Sequence, residues 1–123
     1  MKASEIQDLL KATVLVGPLP QEEILTACGS DMMSDVLAFV KDQAVLLTGL
    51  VNIQVVRTAD MMDMVCIVFV RGKEPDEDMI ALAKRRGMVL LKTQHRMFTA
   101  CGLLWENGLR GGGKADEHAQ MDL

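Results

Sequence analysis

Val65-Cys66-Ile67-Val68-Phe69-Val70 is an unbroken apolar run, followed by Arg71-Gly72-Lys73-Glu74, then Pro75-Asp76-Glu77-Asp78, then Lys84-Arg85-Arg86-Gly87 and Met88-Val89-Leu90-Leu91. Consecutive apolar residues suit a strand covered on both faces, where alternation with polar residues is not needed. Pro75 and three acids suit the first turn of a helix, because proline lacks only an N–H that would go unpaired there and the acids meet the positive end of the helix dipole. Lys84, Arg85 and Arg86 suit the last turn, and Gly87 the left-handed residue that stops it. A second apolar run then begins. Strand, helix and strand in this order imply a right-handed crossover between parallel neighbours.

The same alternation extends in both directions. Upstream, Glu23 to Cys28 reads as a strand ending at Gly29, and Ser30 is placed to cap a helix with Asp31 in its first turn and Met33, Val36, Leu37 and Val40 as its buried stripe. Ala44-Val45-Leu46-Leu47-Thr48 is the next strand, and Asn52 caps a helix on which Val55, Val56, Ala59 and Met62 recur at helical spacing. Downstream, Met97, Phe98, Cys101, Leu104 and Trp105 mark a last amphipathic helix. Ser4 and Gln7 open a short N-terminal helix, Thr13 to Val16 is a first strand, and Gly17-Pro18-Leu19-Pro20 breaks both patterns. The expected fold is a three-layer α/β/α domain with a mainly parallel central sheet. Residues 1–109 form this single domain, and 110–123, with Gly111-Gly112-Gly113, a flexible tail.

Composition limits what such a domain can do. The 123 residues carry a formal net charge of −4 and a pI of about 5.1, with three Phe, one Trp and no Tyr. Neither a basic face for phosphates nor rings for base stacking is evident, so nucleic acid is not an expected partner. No apolar run approaches the ~20 residues of a membrane span and the N-terminus lacks a signal-peptide core, so a cytoplasmic protein that does not engage membranes is expected. Cys28, Cys66 and Cys101 are widely spaced among apolar neighbours and read as reduced packing residues, with no metal-ligand spacing and no cofactor implied.

In parallel sheets ligands lie beyond the carboxyl ends of the strands. That rule selects Gly29, Ser30, Asp31, Thr48, Gly49, Asn52, Arg71, Gly72, Lys73 and Thr93 as candidate ligand-binding residues. Arg71-Gly72-Lys73 stands out: two cations flank a glycine where a nucleotide phosphate or other small anion can approach the backbone, although the same residues make an ordinary turn and no Walker spacing is present. Asp31, Ser34 and Asp35 offer oxygens to a cation, yet capping explains them without one. His95 has no nucleophile or orienting carboxylate beside it in sequence, and a solvated helix-end histidine explains it, as solvent does for His118 in the tail. No catalytic set is evident, so a non-catalytic protein is expected. Met32, Met33, Met61, Met62 and Met64 give more apolar surface than so small a domain readily buries, which predicts a homodimer or a protein partner.

Ser30-Asp31-Met32-Met33-Ser34-Asp35-Val36-Leu37, the strand ending Leu47-Thr48-Gly49, and Gly72-Lys73-Glu74-Pro75-Asp76 together resemble the DRTGG domain, over about residues 1 to 109. The segment that names that family reads here Glu22-Glu23-Ile24-Leu25-Thr26-Ala27-Cys28-Gly29, of which Thr26 and Gly29 match. The resemblance implies a fold similar to the N-terminal domain of bacterial HPr kinase/phosphorylase. It also implies use as an accessory module, as between the nucleotide-binding CBS domains of some inorganic pyrophosphatases. Stand-alone relatives named as iron–sulfur-binding hydrogenases imply an alternative, a redox accessory protein holding a metal or cluster through Cys28, Cys66, Cys101 and His95.

Overall fold

Alternation along the strands decides how the layers stack. In the computed structural model, which describes residues 1–112, the elements run α1 (Ala3–Leu10), β1 (Thr13–Val16), β2 (Thr26–Gly29), α2 (Met33–Phe39), β3 (Ala44–Thr48), α3 (Ile53–Met61), β4 (Cys66–Phe69), α4 (Glu77–Arg86), β5 (Val89–Lys92) and α5 (Met97–Glu106). The strands form one sheet in the order β1-β5-β4-β3-β2. β2 to β5 are parallel, and β1 adds antiparallel to β5, with Thr13 opposite Lys92 and Val14 opposite Leu91.

Val45, Leu47, Cys66, Val68, Val89 and Leu91 face one side, where Ile6 and Leu10 of α1 and Ala100 and Leu104 of α5 close the core. Ala44, Leu46, Ile67, Phe69 and Leu90 face the other, against Val36 of α2, Val55, Val56 and Ala59 of α3, and Met79, Leu82 and Ala83 of α4. The three crossover helices thus share one face, as sequential parallel strands with right-handed connections require. The helices flanking them in sequence cover the other face. This is the three-layer α/β/α architecture expected. No helix among the described residues is long and apolar enough to cross a membrane.

The helix ends follow the local chemistry closely at α3 and α4. Asn52 accepts the Gln54 N–H at 2.9 Å, Asp76 accepts the Met79 N–H at 2.9 Å, and Gly87 ends α4 in the left-handed conformation at φ 69°.

Four local expectations are corrected. Ser30 does not cap α2, which starts at Met33 behind Met32; its hydroxyl instead accepts the Met32 N–H at 3.0 Å in a turn before the helix. Asp31 is likewise outside the helix, drawn away by partners on β3. The second strand begins at Thr26 rather than Glu23, because the segment before it is held by the chain start: the Ile24 N–H donates to the Met1 carbonyl at 2.7 Å and the Met1 ammonium pairs with Glu23. Ser4 lies inside α1, whose entry is held by Glu5 accepting the Lys2 N–H. Finally, Phe98 lies on the outer side of α5 at 90% exposure, Trp105 is only partly covered at 42%, and Leu37 is exposed on α2. Ala100 and Leu104 do the packing of α5, since a helix laid on one end of a sheet buries a narrow stripe.

Candidate functional site

Adjacent strands whose connections leave to opposite faces of a sheet open a crevice at their carboxyl ends. Here the connections diverge in this way between β4 and β5. Arg71-Gly72-Lys73 leads from β4 to α4 on one face, and Thr93-Gln94-His95-Arg96 leads from β5 to α5 on the other. The two loops are laced together: the Arg71 N–H donates to the His95 carbonyl at 2.8 Å, and the Gly72 N–H to the Thr93 carbonyl at 2.8 Å. Arg71 and Gly72 are both left-handed, at φ 58° and 66°. An arginine in this region is uncommon and carries strain that the two lacing bonds hold in place. Gly72 has a second reason to be glycine, since a Cβ there would lie 2.5 Å from the Gln94 Oε1.

Arg71 reaches back along the rim toward β3. Its guanidinium crosses Gly49 so closely that a Cβ on Gly49 would be 2.8 Å from Nη2. On the same turn Asp31 accepts the Gly49 N–H at 2.7 Å and the Thr48 hydroxyl at 3.1 Å, and the Thr48 oxygen accepts the Leu50 N–H at 3.1 Å. One carboxylate from the β2–α2 loop therefore fixes the β3–α3 loop over which Arg71 lies. Arg71, Lys73 and Arg96 form no ion pair among the described residues, whereas Lys92 beneath them is paired with Glu74 at 2.5 Å. Arg96 precedes α5, whose first turn has neither a side-chain cap nor an acid, so its amides face the same rim unpaired by side chains.

Of the residues selected from sequence, Asp31, Thr48, Gly49, Arg71, Gly72 and Thr93 come together in this chain of contacts, with Ser30 and Lys73 on the loops beside them. Thr93 sits beneath the rim: it is buried and donates its hydroxyl to the Leu10 carbonyl at 2.7 Å, tying α1 to the rim. Asn52 lies apart, in a groove of about 430 Å³ between α3 and α4 that also includes Arg57, Asp76 and Arg85. Gly29 turns to the other side of the sheet, under Cys101, whose Sγ would be 2.7 Å from a Cβ there. Gln94 belongs to a strand end legible in sequence but was not among the ligand-binding residues selected, and neither were His95 and Arg96, which follow it directly. Applying the strand-end rule to the whole β5–α5 connection would have found them.

The cysteines do not gather. Cys28 packs on the α2–α4 side of the sheet and Cys66 on the α1–α5 side, with Cys101 above the latter on α5. Burial pushes the Cys66 thiol up to about 12 and raises Cys28 and Cys101 as well, the opposite of what a reactive thiolate or metal ligand needs. Among the described residues no three His, Cys, Asp or Glu side chains are grouped to hold a metal ion.

Fold and rim together define a small α/β module whose β4 and β5 connections part to opposite faces of the sheet at a rim carrying Arg71, Lys73 and Arg96. Among solved structures, the CBS and DRTGG domains of the regulatory region of Clostridium perfringens pyrophosphatase, in complex with the activator diadenosine tetraphosphate, share this fold. The TM-score is 0.65 at 17% identity, over 84% of this chain and 45% of that chain. The chain thus spans less than half the length of that structure, and the likeness is one of fold. No protein-family model and no curated protein matches the chain.

Proposed function

We propose that this chain is a non-catalytic, ligand-sensing module of DRTGG type that binds the phosphates of a nucleotide, or another small anion, at the β4–β5 rim. The observation that carries the reading is the left-handed Arg71-Gly72 pair, laced to the β5–α5 loop, which sets Arg71, without an ion pair among the described residues, beside the start of α5. A phosphate there would meet Arg71, Lys73 and Arg96 together with backbone amides, the combination that favours anions. Asp31 adds negative charge to the rim, but its carboxylate is committed to Thr48 and Gly49 and serves to hold the loop. A regulatory region of related fold that takes a nucleotide activator supports the class of ligand. The lacing of the β4 and β5 loops supports a sensing role: a ligand that shifts Arg71 acts on β3, β4 and β5 at once.

The module is proposed to be cytoplasmic and to work as a homodimer or with a protein partner. Phe39, Met32 and Met61 are exposed along with Phe98, more large apolar surface than an isolated domain gains from showing to water.

Thermal unfolding against adenine and guanine nucleotides and inorganic phosphate tests the site. A ligand at ~100 times its Kd adds roughly 2.7 kcal/mol and raises the midpoint by several degrees. The shift should vanish in Arg71→Gln/Lys73→Gln and persist in Arg57→Gln, whose side chain belongs to the α3–α4 groove. No shift with any of these anions on folded protein would refute the reading.

A further inference from the structure

Beside α5 lies a second cavity of about 200 Å³, bounded by Ala27 and Gly29 of β2, Cys101, Leu104 and Trp105 of α5, and the segment from Leu109 to Gly111. Its walls are apolar except for Arg110. That arginine is 9% exposed, and its guanidinium lies 3.8 Å from the centroid of the Trp105 ring. Nη1 donates to the Trp105 carbonyl at 2.8 Å and the Leu109 carbonyl at 3.0 Å, at the end of α5. Nε is sealed from water and has no acceptor among the described residues, and no carboxylate among them pairs with Arg110.

A guanidinium cannot shed its charge, so burying one without a counter-ion is costly; the helix-end carbonyls offset only part of that cost. The edge left unpaired is the one bearing Nε, which grips a carboxylate two-pronged together with Nη2. A single cation in an apolar cavity matches one negative charge; a dianionic phosphate would remain undercharged there.

We infer that this cavity is a binding site for a small monocarboxylate with a short apolar chain, its carboxylate on the Arg110 Nε edge and its hydrocarbon against Ala27, Leu104 and Leu109. The volume admits an acid of about four to six carbons. Because Nε is closed to water, the carboxylate must open the packing around Arg110, and Trp105, stacked 3.8 Å over the guanidinium, senses that movement. Trp105 is the one tryptophan of the chain, so its emission reports occupancy directly.

The test titrates the full chain with butyrate, using butanol and butylammonium as controls, and follows Trp105 fluorescence. A saturable change is expected with butyrate alone. It should weaken at least tenfold in Arg110→Gln and in Ala27→Met, which fills the cavity and leaves the arginine in place, so that a folding failure of the first variant does not decide the outcome. Arg71→Gln should leave the response unchanged, which separates this site from the rim. A wild-type chain silent to butyrate and its C2–C6 homologues overturns the inference, as does an equal response in both cavity variants. Emission that ignores butyrate but shifts in Asp116→Asn/Glu117→Gln overturns it too, by assigning Arg110 to the chain's own acidic segment.

Discussion

Replacing Thr48 with valine exchanges a hydroxyl for a methyl of nearly the same shape, so its effect isolates the polar network that shapes the rim. Thr48 is fully buried; its hydroxyl donates to Asp31 at 3.1 Å and accepts the Leu50 N–H at 3.1 Å. A hydrogen bond to a charged group contributes about 1.5–3 kcal/mol, and the Leu50 amide left without its acceptor costs roughly another 1 kcal/mol because it is only partly buried. Thr48→Val is therefore expected to cost about 2.5–4 kcal/mol, which lowers the midpoint of a domain of this size by roughly 8–15 °C. Urea unfolding and calorimetry on the parent, Thr48→Val, Asp31→Ala and the double variant close a cycle. Because Asp31 also holds the Gly49 N–H, its own removal is expected to cost at least as much, with a coupling of about 1–2 kcal/mol between the two positions. A Thr48→Val chain within ~0.5 kcal/mol of the parent, or strictly additive effects, would refute the role given to this network.

Alkaline pH should destabilise the fold through Cys66. The unfolded thiol ionises near 9 while the buried one holds its proton to about 12, so stability is intact below pH 9 and falls about tenfold in the folding constant per unit from there toward 12. Urea midpoints at pH 8 and 10 measure this, and Cys66→Ala should reduce the loss without abolishing it, since Cys28 and Cys101 are shifted in the same direction. Two glycines with open space around them should respond with opposite sign. Gly102→Ala inside α5 should stabilise by about 0.5–1 kcal/mol, while Gly87→Ala at φ 69° should destabilise by about 1 kcal/mol, both read by chemical denaturation. Phe69→Ala, at a fully buried position on β4, should cost about 3–5 kcal/mol and broaden or abolish the cooperative transition in calorimetry.

Element order and layer count were legible in the sequence because each rests on short-range chemistry. Asp76 and Gly87 bound α4 by local chemistry, the Asp76 carboxylate accepting a first-turn N–H and Gly87 taking the left-handed stop, while Pro75 falls just before the cap rather than in the first turn; no tertiary information is needed to find these ends. The run from Val65 to Val70 marks a strand buried on both faces by its composition alone. Local rules failed where a distant partner competed. Ser30 and Asp31 have the composition of a helix start, yet Asp31 serves the β3 loop and leaves α2 to begin at Met33 without a cap. Glu23 and Ile24 have strand character, yet they are held by the chain start. Phe98 and Trp105 fit the spacing of an amphipathic helix, but spacing does not say how wide a stripe the sheet will cover.

For the candidate site the division has the same physical cause. The strand-end rule, applied to the sequence, named Thr48, Gly49, Arg71 and Gly72 because strand limits are local. Only the tertiary structure decided that the connections part between β4 and β5, since that depends on which face each following helix takes, and that Gly29 belongs to the other side of the sheet. Arg110 is the clearest case. In sequence it is one cation between Leu109 and a run of glycines, and its burial, its stack on Trp105 and its Nε without an acceptor among the described residues exist only once α5 and β2 are brought together around it.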